Sequence, residues 1–296
     1  MTLHPQSVAA LELWAQGPSV TDPGFGADGI AAMRRDALAA AALEEKEPVD
    51  RVEDVDADGV RCRLYVPAGA RRTVLFLHGG GFVFGDVDTH DGQSRRIANR
   101  TGSAVLAVDY RRPPEHRFPA APDDVDTALG WLDREAGRLG LAGPTYVHGD
   151  SAGGNLALVA ALRHPGRFRA AVLHYPFLDP TASGASYALG AAAGFDPREA
   201  AWYWQQYARG DDDLTHPDLA PLLSDRLGTL PPTLVTTAEH DPLRDEGELL
   251  AARIADQGGQ VTATRYLGQV HGFWRQPVFP AAEQLVRHTC SFLRSH

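Results

Sequence analysis

The sharpest chemical signal in the chain is Gly149-Asp150-Ser151-Ala152-Gly153-Gly154. It follows a short apolar run around Val147 and opens a segment with Leu156, Val159, Ala160 and Leu162 at helical spacing. A serine on such a strand-to-helix turn has its oxygen exposed. Glycines two residues before and two after it let neighbouring backbones pass closely. The start of the helix adds free N–H groups that favour negative charge. Those are the requirements of a nucleophilic serine. A glycine-rich tight turn with no chemistry is the plainer reading of the same six residues, so the partners have to decide.

Acyl transfer needs donors for an oxyanion, a base and a carboxylate that orients the base. His78-Gly79-Gly80-Gly81 follows the apolar run Val74 to Leu77, and only glycines let a loop present consecutive N–H groups to a substrate oxygen. Gly80 and Gly81 are assigned that role, with the Ala152 N–H as a third donor. A phosphate-binding loop would end in Gly-Lys-Ser/Thr, whereas this one continues Phe82-Val83-Phe84-Gly85. His78 reads as a structural hydrogen-bonder. Among the 12 histidines, His271 is best placed as the base, in a loop after the strand-like Val261 to Leu267 and before the final helix. His148, His174 and His240 read as packing or hydrogen-bonding residues at strand ends, and His288 and His296 as solvated. Asp241, after the run Leu234 to Thr237 and before Pro242, is the preferred acid, with Glu239 and Asp245 as local rivals. The order Ser151, Asp241, His271 is the one an α/β-hydrolase triad requires.

Composition narrows the rest. The 296 residues are 44% hydrophobic, enough for a large buried core in one domain or two small ones. Lys+Arg 28 against Asp+Glu 38 leaves a net charge of −10, the wrong sign for tracking phosphate backbones, so nucleic acid is not expected as a partner. Two cysteines, Cys62 and Cys290, make no disulfide framework and no zinc spacing. There is no H-E-x-x-H, no P-loop and no G-x-G-x-x-G after a strand, so no metal or nucleotide site is expected. Neither a signal-peptide core nor a membrane span is apparent, and a soluble cytoplasmic protein is the expectation.

The elements that must position these residues alternate. Val52 and Val55, an Asp58-Gly59 turn, and Val60, Cys62, Leu64 and Val66 predict a hairpin. Val74–Leu77, Ala104–Val108, Tyr146–His148, Ala170–Tyr175 and Leu234–Thr237 read as buried strands. Helical spacing lies between them at Val125, Ala128, Leu129 and Leu132, and again from Ala282 to Leu293. This is an α/β chain with a mostly parallel sheet covered on both faces. The first 50 residues read as helices, with Ala31 to Leu43 the clearest. Pro180 to Leu230 shows no clear strand, is rich in Ala and Gly, and reads as a helical insertion above the sheet. Phe82, Phe84, Trp202, Tyr203, Phe273 and Trp274 are the candidate substrate-binding residues, each with core packing as its alternative. So aromatic a cap implies a compact acyl pocket and short chains.

Together these motifs resemble the hormone-sensitive-lipase-like branch of the α/β-hydrolase superfamily, the bacterial carboxylesterases called family IV. The matching stretches also include Asp241-Pro242-Leu243-Arg244-Asp245-Glu246-Gly247, His271-Gly272-Phe273, Asp109-Tyr110-Arg111 and Pro114-Glu115-His116-Arg117-Phe118-Pro119-Ala120-Ala121. The resemblance implies an eight-stranded α/β-hydrolase fold in a single domain over 1–296, with a helical cap made by about 1–48 and 180–230. It implies cofactor-free hydrolysis of a small-molecule ester of short to medium chain, and dimers are common among similar proteins. Arg112-Pro113 stands where the family more often has Leu-Ala, a departure read as structural. An amidase or formamidase using the same triad is the alternative activity. A non-catalytic receptor on this fold is opposed by the presence of Ser151, Asp241 and His271 together.

Overall fold

The computed structural model of the chain describes residues 2–192, 195–276 and 278–296. A single eight-stranded sheet organises them: β1 (Arg51–Ala57), β2 (Val60–Val66), β3 (Thr73–Leu77), β4 (Ala104–Val108), β5 (Thr145–Asp150), β6 (Ala171–His174), β7 (Thr233–His240) and β8 (Val261–Val270). The spatial order is β1-β2-β4-β3-β5-β6-β7-β8. β1 and β2 pair antiparallel, as do β2 and β4, and every later pairing is parallel. The predicted hairpin closes at Asp58 and Gly59, both in the left-handed region that a tight two-residue turn demands.

Period-two alternation divides the strand side chains between two cores. Leu75, Leu77, Leu106, Val108 and Val147 face helices α4 (Ala120–Leu139), α5 (Ala152–Arg163) and α7 (Arg244–Asp256). Val74, Phe76, Val105, Ala107 and Tyr146 face α3 (Asp91–Thr101) and α8 (Pro280–Ser295). Burial on both faces explains why the central strands read as continuous apolar runs. Each such leucine supports the sheet by about 2–5 kcal/mol against truncation to alanine.

The helical first 50 residues resolve into α1 (Pro5–Trp14) and α2 (Ala27–Leu43), joined by turns. Within Pro180 to Leu230 the regular element is α6 (Pro197–Tyr207), among short 3₁₀ turns. Asp196 caps α6, accepting from the N–H groups of Arg198 and Glu199, while the Glu199 carboxylate accepts from the Asp196 N–H. Phe25 meets Trp202 edge-on with centroids 5.7 Å apart, and Ser19 bonds Glu199 at 3.3 Å, so the N-terminal segment and α6 touch directly. His288 and His296 are partly buried rather than solvated: the first lies 3.3 Å from the Tyr266 hydroxyl, and the second packs on Phe292. Among the described residues no helix is long and apolar enough to cross a membrane.

Candidate active site

Each sequence-predicted catalytic side chain is the first residue past the carboxyl end of a parallel strand. Ser151 follows β5, Asp241 follows β7 and His271 follows β8, while His78 to Gly81 follow β3. The carboxyl edge of an open α/β sheet is where loops from separate strands converge on a ligand. His271 Nε2 lies 3.0 Å from Ser151 Oγ, and His271 Nδ1 lies 2.8 Å from Asp241 Oδ2. The other Asp241 oxygen accepts from the Leu243 N–H at 2.8 Å, which fixes the rotation of the carboxylate. Asp241 is fully buried.

The rivals are occupied elsewhere. Glu239 accepts from the Gly268 N–H at 2.7 Å, and Asp245 pairs with Arg244 and bonds Ser186. His78 stacks on Tyr110 with centroids 4.2 Å apart and is fixed to its own loop, in line with a structural role. His148 and His174 are buried beneath the site, in contact with each other and with Trp274.

Ser151 itself has φ 55° and ψ −120°, a conformation that costs a non-glycine residue energy and lifts its oxygen out of the strand–helix line. The turn is tight because its glycines are. A Cβ on Gly149 would lie 2.0 Å from the Gly153 carbonyl oxygen, and one on Gly153 would lie 2.0 Å from that of Leu77. The Ala152 N–H is the first of α5 and so has no intrahelical acceptor. Gly80 and Gly81 have φ 118° and 60°, and their amides make no backbone hydrogen bond among the described residues.

The glycine loop is held from several sides. Tyr110 donates to the His78 carbonyl at 2.7 Å, and Gly79 N–H donates to the Asp150 carboxylate at 3.0 Å. Burial pushes the Asp150 carboxyl up from its ordinary range, opposed by the charge of Arg275. Arg112, the departure from the family pattern, bonds the Gly85 carbonyl and pairs with Asp109 at 3.3 Å. From α2, Arg34 donates to the Val83 carbonyl at 2.8 Å and to that of Pro113 at 2.7 Å.

A cavity of about 130 Å³ opens beside Ser151 and His271. Phe177, Phe195 and Tyr203 form its apolar walls, and Asp150 and Arg275 contribute charged groups. Of the six aromatic candidates only Tyr203 lines this cavity. Phe84 and Trp202 sit one layer out, stacked on each other. Phe82 turns away and stacks on Tyr207 at 3.8 Å, and Phe273 and Trp274 are fully buried in the core on the α3–α8 face. Phe177, Phe195 and Arg275 were not anticipated. Phe177 had a signal, three residues past the end of β6; the other two had none beyond residue type.

A profile of the α/β-hydrolase fold matches residues 74–275. The chain belongs to the α/β-hydrolase family. Its hormone-sensitive-lipase-like branch is the one indicated by the motifs above and by the relatives. The carboxylic ester hydrolase LipN of Mycobacterium tuberculosis is 40% identical over 232 residues, 73% of this chain and 61% of that protein. The match thus spans less than two thirds of LipN. Ethyl acetate hydrolase of Pseudomonas putida is 34% identical, with 93% of each chain covered. Among solved structures, the hyperthermophilic esterase of the archaeon Pyrobaculum calidifontis superposes with a TM-score of 0.90 at 36% identity, covering 100% of this chain and 99% of that one. Among the described residues no group of three or more His, Cys, Asp or Glu side chains is arranged to hold a metal.

Proposed function

We propose that the protein is a serine carboxylesterase acting on compact esters through an acyl-enzyme. The observation that carries this reading is the unbroken relay in which one imidazole touches Ser151 Oγ at 3.0 Å and Asp241 Oδ2 at 2.8 Å. His271 takes the Ser151 proton as the oxygen attacks the ester carbonyl, and buried Asp241 holds the ring in the tautomer that accepts it. The Gly80, Gly81 and Ala152 N–H groups bind the oxyanion; each such donor is worth about 3–4 kcal/mol of barrier. The alcohol leaves with the proton from His271, and water releases the acid by the same route.

The substrate is read from the cavity and the relatives. A volume of about 130 Å³ lies well below the ~300 Å³ at which drug-sized pockets begin, which favours short acyl chains. The curated relatives bear names of ester hydrolases, one of them for ethyl acetate. Residues 1–48 and 180–230 act together as the cap that bounds this space, a reading supported by the contacts of Phe25 and Ser19 with α6.

The test is hydrolysis of p-nitrophenyl butyrate by the wild-type protein, Ser151→Ala and Asp241→Asn. Turnover is expected to vanish in the first variant and to fall on the order of 10⁴-fold in the second, whose ring adopts the wrong tautomer. Near wild-type turnover in Ser151→Ala would refute the assignment.

A further inference from the structure

Arg275 has a position that the hydrolytic relay does not explain. It closes the 3₁₀ turn Phe273–Arg275 just after His271, and its side chain lines the same small cavity as Ser151. It is only partly exposed, and its Nε is buried without a hydrogen-bond partner. Among the described residues no carboxylate comes within 4.0 Å of its guanidinium. Three other partly buried arginines do pair with carboxylates: Arg63 with Asp54, Arg112 with Asp109 and Arg163 with Asp126.

A guanidinium N–H buried without an acceptor is costly, and the planar fork matches a carboxylate with two parallel N–H donors. Asp150 shares the cavity and feels the charge of Arg275, but makes no ion pair with it. Its Oδ1 is taken by the Gly79 N–H. Arg275 is the one arginine or lysine among the residues that line the cavity with Ser151.

We infer that Arg275 receives a carboxylate carried by the substrate a few bonds from the scissile ester, so that the enzyme selects compact anionic esters over neutral ones. This rests on the esterase reading above. The hydrolysis itself is unchanged: water adds, and the acid and the alcohol are released. The carboxylate can sit on either side of the ester bond. Monoethyl succinate places it on the acyl part and acetoxyacetate on the alcohol part, with ethyl butyrate and propyl acetate as their neutral counterparts.

The experiment compares kcat/KM within each pair for wild type, Arg275→Gln and Arg275→Lys. The anionic-to-neutral ratio is expected to fall at least tenfold in Arg275→Gln for one pair, which identifies the side of the ester, and to be largely kept by Arg275→Lys. A merely structural role would lower both members of a pair together and leave the ratio alone. Calorimetry of monoethyl succinate and acetoxyacetate with Ser151→Ala and Ser151→Ala/Arg275→Gln reads the same contact without chemistry, and at least a tenfold loss of affinity is expected for one of them. Should Arg275→Gln not fold, Arg275→Met takes its place, and Arg275→Lys still reports on the charge. Ratios within twofold of wild type in both pairs, with unchanged affinities, overturn the inference while leaving the esterase reading intact. Failure of the folded wild type to hydrolyse any of the four esters removes that reading instead, and the calorimetric comparison still decides whether Arg275 holds a carboxylate.

Discussion

Arg34, on the second helix of the chain, donates two hydrogen bonds to the carbonyl oxygen of Val83, in the loop that presents Gly80 and Gly81. The same guanidinium reaches the Pro113 carbonyl and the Glu115 carboxylate. An N-terminal residue thus ties together two loops at the carboxyl edge of the sheet. Positioning groups of this kind act on rate more than on binding, because a displacement of about 1 Å at a donor can cost up to 10²-fold. Arg34→Met is expected to lower kcat for p-nitrophenyl butyrate roughly tenfold with little change in KM, and to cost about 1–2 kcal/mol of stability through the lost bonds. Steady-state kinetics with urea unfolding checks both. A rise in KM alone would place Arg34 in substrate binding instead.

Tyr203 governs the size of the cavity. Its ring lies so close to the glycine loop that a Cβ on Gly81 would fall 2.2 Å from it. Tyr203→Ala opens that wall, and each additional methylene buried there is worth about 0.8 kcal/mol. The preferred p-nitrophenyl ester is expected to lengthen from butanoyl toward octanoyl, with the octanoyl-to-butanoyl ratio of kcat/KM rising by about tenfold or more. A chain-length profile identical to wild type would show that acyl chains run elsewhere.

Stability should fall steeply in mild acid. His78, His90, His148 and His174 are all buried, and desolvation pushes each below the ordinary histidine range, His78 and His148 to about 3. Below about pH 6.5 the unfolded chain takes up protons that the folded protein refuses, so stability present above that pH is lost as pH falls toward 3. Each such histidine contributes a slope of about 1.4 kcal/mol per pH unit. Asp109, Asp150, Glu199 and Glu246, all shifted upward by burial, act in the opposite sense as they take up protons in the folded state. The histidine contribution sets the expected sign, a loss of stability as pH falls from about 6.5 to 5. Urea unfolding at half-unit pH steps measures this. His148→Phe, which removes a ring whose two nitrogens have no partner, is expected to flatten the slope by about 1.4 kcal/mol per unit.

What was legible in the sequence divides along physical lines. The relay and the glycine loop were legible because chemistry restricts residue type: only glycine fits at 149 and 153, and only a serine, a histidine and a carboxylate in that order make the relay. The strands were legible because burial on both faces leaves continuous apolar runs. Helix α3 was not, since its buried face carries Asp91, Gln93, Ser94 and Arg96 and so shows no apolar period. The pocket was the least legible part. Phe82 and Tyr203 are both aromatic and both near Gly81 in space, and nothing in residue type says that the first turns into the core while the second faces the cavity.

Ser151, Asp241 and His271, the proposed nucleophile, acid and base, stand behind three different strands, with His271 last in the chain. No local fragment of the chain holds a working site. On the proposed mechanism, a refolding chain stays inert until β8 docks against β7 and delivers the His271 imidazole. On that mechanism, the first appearance of turnover during refolding reports the docking of one edge strand, β8, onto the sheet.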